Sequence, residues 1–200
     1  MLRVDALKAI YPELSRCVVV TNMGAAPVEL FSLGHQPGFF YVWHSMGLAS
    51  SVGLGIALSR PELQVVVVDG DGSLLMNLGS LTTLARYRPS NLIHVVFDNE
   101  VLLSVGRSFT TATATGSDLA AMAAAAGISR TGTFRTEDEL RRGFLEALAA
   151  RELATLVAKV EPQGPPSYFI DLHYLESRFQ FQRHLRGLAK AVHHEKGDPR

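Results

Sequence analysis

The stretch VVVVDGDGSLLMNLGSL, Val65 to Leu81, decides the fold. Four valines in a row read as a strand buried on both faces, because one solvated face would impose alternation. An acid, a glycine, an acid, a glycine and a serine follow, and then a periodicity that predicts a helix over Leu75–Tyr87. Strand, glycine-rich turn and helix form the repeating unit of parallel sheets. Other strand-like runs are Cys17–Thr21, Leu92–Asp98 and Ala154–Val160, with weaker ones at Phe39–Trp43 and Ser129–Phe134. Helix-like segments separate them, at Leu2–Leu14, Pro27–Leu33, Met46–Ser59, Ser117–Ala126 and Glu137–Glu152. Thr136, with acids behind it in TEDEL, predicts a capped start for the last of these. The expected fold is α/β, a doubly wound parallel sheet with helices on both faces, formed by residues 1–170. Residues 171–200 are expected to add a C-terminal helical extension and a charged tail.

Composition narrows the function classes. Two hundred residues, 47% of them hydrophobic, suffice for one domain with a substantial core. Basic and acidic residues balance at 19 each, so nothing favours a nucleic acid or an anionic membrane surface as partner. Cys17 is the single cysteine, which excludes an intrachain disulfide and a cysteine-built metal site. Arg3, Asp5, Lys8 and Glu13 interrupt the N-terminal segment, which does not read as a signal peptide, and no apolar run is long enough to span a bilayer. A soluble cytoplasmic protein is expected.

In a doubly wound sheet the ligand sits outside the carboxyl ends of the strands. DGDGS falls there, where Gly70 and Gly72 let a ligand approach the backbone and a helix starting near Ser73 turns unpaired N–H groups toward it. A carboxylate in such a loop, Asp71, makes sense if Mg²⁺ bridges it to phosphate oxygens. The same letters also fit a plain strand-to-helix turn with an Asp or Ser N-cap. The next strand ends in Asp98-Asn99, one helix and one strand after Asp71, which brings Asn99 to the same sheet edge. A neutral amide suits a site that must also hold phosphate.

GDGS followed at this distance by DN resembles the binding signature of thiamine-diphosphate-dependent enzymes. The resemblance implies that Asp71, Asn99 and the carbonyl of Val101 hold Mg²⁺ against the diphosphate. Asp98 and Glu100 depart from the family pattern. WHSMGLASSVGLGIAL resembles the family's segment in which an apolar side chain wedges between the cofactor's two rings. It implies Met46 as that wedge, the carbonyl of His44 as acceptor for the exocyclic amine, and Ser45 between them; ordinary core filling is the other reading of Met46. VVVTNMGAA is similar to a loop that touches the diphosphate, with Asn22 and Gly24 as candidates beside Gly70, Gly72 and Ser73.

Within the family, the run from Phe40 to Asn99 is most similar to the small β subunits of sulfopyruvate decarboxylase and to the C-terminal domain of phosphonopyruvate decarboxylase. SVGRSFTT, Ser104–Thr111, resembles a degraded form of their S-x-G-G-Q-P-T loop, with Ser108 and Phe109 at altered positions. The family activates the cofactor with a glutamate from a separate pyrimidine-binding domain. Two domains of about 150–180 residues each do not fit in this chain, so a pyrimidine-binding α-type partner subunit is expected to supply that glutamate. His44 then stands as the chain's own tentative catalytic residue. The implied function is a thiamine-diphosphate- and Mg²⁺-binding subunit of a heteromeric 2-oxo acid decarboxylase. A carboligase subunit of the acetolactate-synthase type and a non-catalytic cofactor-binding subunit are the alternatives.

Among other histidines, His35 reads as a solvated loop residue or an acid near the partner, and His94 as a hydrogen-bonded structural residue within a strand. His193 and His194 read as part of the charged tail. Tyr174–Val192 reads as a helix packed on the domain's flank, or as an oligomer-forming arm if Phe179, Phe181 and Leu185 are exposed.

Overall fold

The computed structural model describes residues 1–106 and 109–195, of which 189–195 as backbone only. Six strands form one wholly parallel sheet: β1 (Val18–Thr21), β2 (Phe39–Tyr41), β3 (Val65–Gly70), β4 (Leu92–Asp98), β5 (Arg130–Phe134) and β6 (Ala154–Lys159), in the order β2-β1-β3-β4-β6-β5. The chain runs outward from β1 to β2 and then returns to place β3 on the other side of β1. That reversal leaves a crevice at the carboxyl ends of β1 and β3, the ligand position of this topology.

The valine run explains why the pattern does not alternate. Val66 and Val68 pack under α1 (Arg3–Leu14), α2 (Ala25–Leu33) and α7 (Glu137–Ala150), beside Leu7, Leu30 and Phe144. Val65 and Val67 pack on the opposite face against α3 (Ala49–Ser59), α5 (Gly79–Tyr87) and α6 (Leu119–Ala125), beside Leu54, Leu84 and Ala123. Each such side chain stabilises the fold by about 1.5–3 kcal/mol relative to exposure. Gly53 lets α3 lie close to the sheet, for a Cβ there would meet Val67 Cγ2 at 2.3 Å.

The sheet and its helices agree with expectation, and the differences lie around the crevice. The helix expected from Leu75 to Tyr87 is two helices, α4 (Asp71–Leu75) and α5, so the first turn starts two residues before Ser73 and closes at once. Asn77 sits in the break and donates from Nδ2 to the Gly47 carbonyl at 2.9 Å. Gly47 in turn adopts φ +78°, a left-handed conformation, which delays α3 to Ala49 rather than Met46. A long-range hydrogen bond and one glycine thus override local helix propensity at two places.

The C-terminal helix α8 (Tyr174–Glu195) lies against β2. Phe181 is buried there and stacks on Phe40 with ring centroids 4.9 Å apart, whereas Phe179 is exposed. Of the two readings of this helix, packing on the domain's flank is the one Phe181 bears out. His35 is not a solvated loop residue: it is half-buried, bonds Gln180 Oε1 of α8 through Nε2 at 3.0 Å, and stacks on Phe31. Helix α7 starts as expected, with Thr136 and Glu139 forming a reciprocal capping box. No helix among the described residues is long and apolar enough to cross a membrane.

Candidate functional site

Three strands deliver the candidate residues to one edge. Asn22 and Gly24 follow β1, Gly70 ends β3 and is followed by Asp71, Gly72 and Ser73, and Asn99 and Val101 follow β4. All of these, together with Met46, line a single cleft. His44 and Ser45 do not. The Ser45 hydroxyl donates to the Trp43 carbonyl at 2.9 Å. His44 is exposed, with φ +54°, and lines an adjoining cavity of about 310 Å³ walled by Tyr41, Trp43 and Tyr168. Ser108 lies outside the described residues, while Phe109 is exposed and Ser104 reaches both the cleft and that cavity.

Asp71 is 3% exposed at the base of the cleft. Its Oδ2 accepts from Thr111 Oγ1 at 2.6 Å and lies 3.2 Å from Thr113 Oγ1, both threonines being buried. Burial pushes this carboxyl above the ordinary aspartate range, the Thr111 hydrogen bond pulls it back, and the nearby Asp98 charge pushes it up again, leaving it raised. A buried carboxylate without a cationic side chain against it is an oxygen donor suited to a hard cation.

Asn99 is 8% exposed, and its Oδ1 accepts from the Val101 N–H at 3.1 Å in a tight turn through Glu100, whose φ is +65°. Lys159, the register partner of Asp98 on β6, donates to Asp98 Oδ2 at 2.8 Å and to Glu100 Oε1 at 2.6 Å. Asp98 Oδ1 accepts from Thr113 Oγ1 at 2.7 Å. The two residues that depart from the family pattern are thus paired with one lysine.

Behind the cleft runs a second polar network. Asn22 Nδ2 donates to Asp69 Oδ1 at 2.8 Å and to the Ser73 hydroxyl oxygen, which also accepts from the Gly47 N–H at 2.9 Å. Asp69 Oδ2 lies 3.2 Å from His94 Nε2, and both side chains are fully buried. Since the carboxylate accepts, that nitrogen carries the shared proton. His94 is therefore a hydrogen-bonded strand residue, as expected, and its partner links it to the cleft wall.

The cleft suits a metal-bound diphosphate. Among the described residues its donors are one carboxylate, the amide oxygens of Asn22 and Asn99, serine hydroxyls and backbone, with no thiolate or imidazole, which favours a hard cation over a transition metal. A Cβ at Gly24 would meet nothing within 4 Å, and one at Gly70 would meet only the Phe97 carbonyl at 4.0 Å, so bare backbone faces open space at both turns. Gly24 also adopts φ +108°, which other residues seldom take.

Several participants escape a reading by motif. Thr111, Thr113, Asp69 and Lys159 reach the site through strand pairing and loop return, not through a spacing. Arg3 also lines the cleft, where it is 5% exposed and forms a bidentate pair with Glu29 through Nε at 2.8 Å and Nη2 at 3.0 Å. Its only sequence signal was an arginine near the start of an amphipathic helix.

Residues 22–158 match the family described as thiamine pyrophosphate enzyme, C-terminal TPP binding domain. The sulfopyruvate decarboxylase subunit beta of Methanothermobacter thermautotrophicus is 40% identical over 185 residues, covering 92% of this chain and 96% of that protein. The phosphonopyruvate decarboxylase of Streptomyces viridochromogenes is 43% identical over 148 residues, 74% of this chain and 36% of that one. Among solved structures, benzoylformate decarboxylase from Polynucleobacter necessarius superposes with a TM-score of 0.65 at 22% identity, covering 82% of this chain and 33% of that one. That last likeness establishes the shared fold.

Proposed function

Because the chain belongs to the thiamine pyrophosphate enzymes, as their C-terminal TPP-binding domain, we propose that it is the diphosphate-holding subunit of a heteromeric 2-oxo acid decarboxylase. The observation that carries this reading is the convergence of Asp71 and Asn99 with the open glycine turns at Gly24 and Gly70 in one cleft. Asp71, Asn99 and the Val101 carbonyl hold Mg²⁺. Asn22, Gly24, Gly70, Gly72 and Ser73 surround the diphosphate. Met46 would serve as the apolar prop against the cofactor's rings, and the carbonyl of His44, beside Ser45, would be the acceptor offered to its exocyclic amine. When bound, thiamine diphosphate supplies the electron sink for loss of CO₂ from the 2-oxo acid.

The chain's own residues bind, orient and set charge. Asn22 donates both to Asp69 and to Ser73, which ties the two sides of the crevice together. Asp71 contributes the carboxylate that would hold Mg²⁺, whose positive charge would offset that of the phosphate oxygens. The activating glutamate comes from a pyrimidine-binding α-type subunit. This is supported by the similarity, over nearly its whole length, to a protein whose name designates it a beta subunit. The names of the relatives favour a pyruvate carrying a sulfonate or phosphonate as the small 2-oxo acid substrate.

Calorimetric titration of thiamine diphosphate with Mg²⁺ tests this on the chain alone and with a candidate partner. Tight Mg²⁺-dependent binding that needs the partner and vanishes in Asp71→Ala is expected, with CO₂ released from sulfopyruvate or phosphonopyruvate by the complex. Binding that persists in Asp71→Ala would sink the reading of the site. A condensed hydroxy-oxo acid instead of free aldehyde would move the chain to the carboligases, and cofactor binding without any turnover would make it a non-catalytic subunit.

A further inference from the structure

The turn that presents Asn99 is bordered by two acids, and three carboxylates (Asp71, Asp98 and Glu100) crowd one sheet edge. Such a cluster would hold a bare cation well and repel a diphosphate. One cation answers it. Lys159 sits across from Asp98 in the β4–β6 register, with its ammonium 2.8 Å from Asp98 Oδ2 and 2.6 Å from Glu100 Oε1. Burial alone would depress this lysine, but its hydrogen bonds to the two acids and their charges outweigh that and raise it.

Proton counting shows why the lysine matters to Asp71. Thr111 and Thr113 own one hydroxyl proton each, yet four contacts link them to each other and to the two aspartates: 2.6 Å from Thr111 to Asp71, 2.8 Å between the threonines, 3.2 Å from Thr113 to Asp71 and 2.7 Å from Thr113 to Asp98. Two protons cannot serve both carboxylates fully. If Asp98 lacked Lys159 it would compete with Asp71 for Thr113 and add an uncompensated buried charge beside it.

Resting on the reading of this cleft as a metal–diphosphate site, we propose that Lys159 is a positioning and charge-setting residue. Its ammonium ties Asp98 and Glu100 to either side of Asn99, so that among the described residues Asp71 is the cleft carboxylate with no cationic side chain against it. The site is thereby tuned to a cation that arrives with its phosphate, in preference to a bare cation. The two acids at unusual positions and Lys159 form one exchangeable unit.

The test compares the full chain, with its partner subunit, as wild type, Lys159→Met, Asp98→Asn and the double variant. Mn²⁺ serves as the paramagnetic probe for bare cation, and calorimetry with thiamine diphosphate and Mg²⁺ gives cofactor affinity. Lys159→Met is expected to bind bare Mn²⁺ more tightly while losing about tenfold or more in cofactor affinity. Adding Asp98→Asn should reverse both shifts, because the orphaned carboxylate is gone while Thr113 retains an acceptor. The double variant also serves if the single one folds poorly. A fall in both affinities, or a double variant no better than the single, would mean that Lys159 is only a structural ion pair, and the proposal would be abandoned. Wild type that binds no cofactor, with Asp71→Ala unchanged, would defeat the site reading itself and this inference with it.

Discussion

Two helices of this chain begin with acidic residues just after a strand, and they treat them in opposite ways. At α7, Glu139 is solvent-exposed and accepts from the backbone N–H groups of Arg135 at 2.9 Å and Thr136 at 3.2 Å, while Thr136 caps in return. Those hydrogen bonds, the one from Arg135 foremost, hold its carboxyl below the usual range. At α4, Asp71 is buried, the helix has no side-chain cap, and burial leads the causes that raise its carboxyl. One acid is matched to the needs of its helix. The other also lies in a first turn, on a helix of one turn, but its burial opposes the charge, so folding by itself would favour a neutral residue. The contrast is what the proposed ligand role of Asp71 requires.

The comparison can be broken most directly at Asp71. Asp71→Asn should weaken Mg²⁺-dependent cofactor binding by more than the roughly 100-fold typical of residues behind the ligands, read by calorimetry. The same variant without cofactor should be more stable, by about 1 kcal/mol or roughly 2–4 °C in Tm for a domain of this size, read by thermal unfolding. A loss of stability would show that the carboxylate serves the fold after all. A control in the apolar body of the fold is Gly53→Ala on α3, whose Cβ would press on Val67 Cγ2 of β3 at 2.3 Å. It should cost about 1–3 kcal/mol through overpacking, by urea denaturation.

At the other helix, Thr136→Ala should cost about 1 kcal/mol and leave cofactor affinity unchanged. The two acids should also separate by pH. Asp71 has a raised carboxyl, so the folded chain holds its proton more tightly than the unfolded chain. Its cost therefore appears as pH rises through the unfolded value of about 3.9, and the advantage of Asp71→Asn should vanish at lower pH. Glu139 has a depressed carboxyl, so its contribution is present above the unfolded value and lost as pH falls through the folded one. The deficit of Glu139→Gln should shrink on acidification, in denaturant titrations at stepped pH. The smallest effect concerns Cys17, whose thiol burial pushes up to about 12, with the Glu13 charge adding to it. It should resist alkylation at pH 8 until the chain unfolds, as mass spectrometry would register.

The central strands were legible because each carries its own apolar run, and β4 spans Leu92–Asp98 in both readings, whereas β5 (RTGTF) has none and read weakly. The break between α4 and α5 was not, because Asn77 is a tolerable helix residue until Gly47, 30 positions away, offers its carbonyl. At the candidate site the two glycine turns, Asp71 and Asn99 stood out by spacing, since strand length and sheet geometry set where a turn emerges. Met46 does line the cleft, whereas His44 faces the neighbouring cavity, a difference set by a single left-handed residue between Trp43 and Gly47. Asp98 and Glu100 looked like anomalies in one dimension and have a partner in three.

From the amino-acid sequence alone came the parallel α/β class, the edge at which a ligand would sit and the residue types able to hold it. These follow from local chemistry: β-branched runs, glycine at turns, and an acid and an amide at strand ends. Tertiary structure alone decided the strand order β2-β1-β3-β4-β6-β5, the burial of Phe181 of α8 against Phe40, and the environment that raises Asp71. It also decided which cation answers Asp98, because a lysine 61 residues away is its neighbour only once β6 has paired with β4. Electrostatics and burial depend on distance through space, and the chain order does not contain that distance until the sheet has formed.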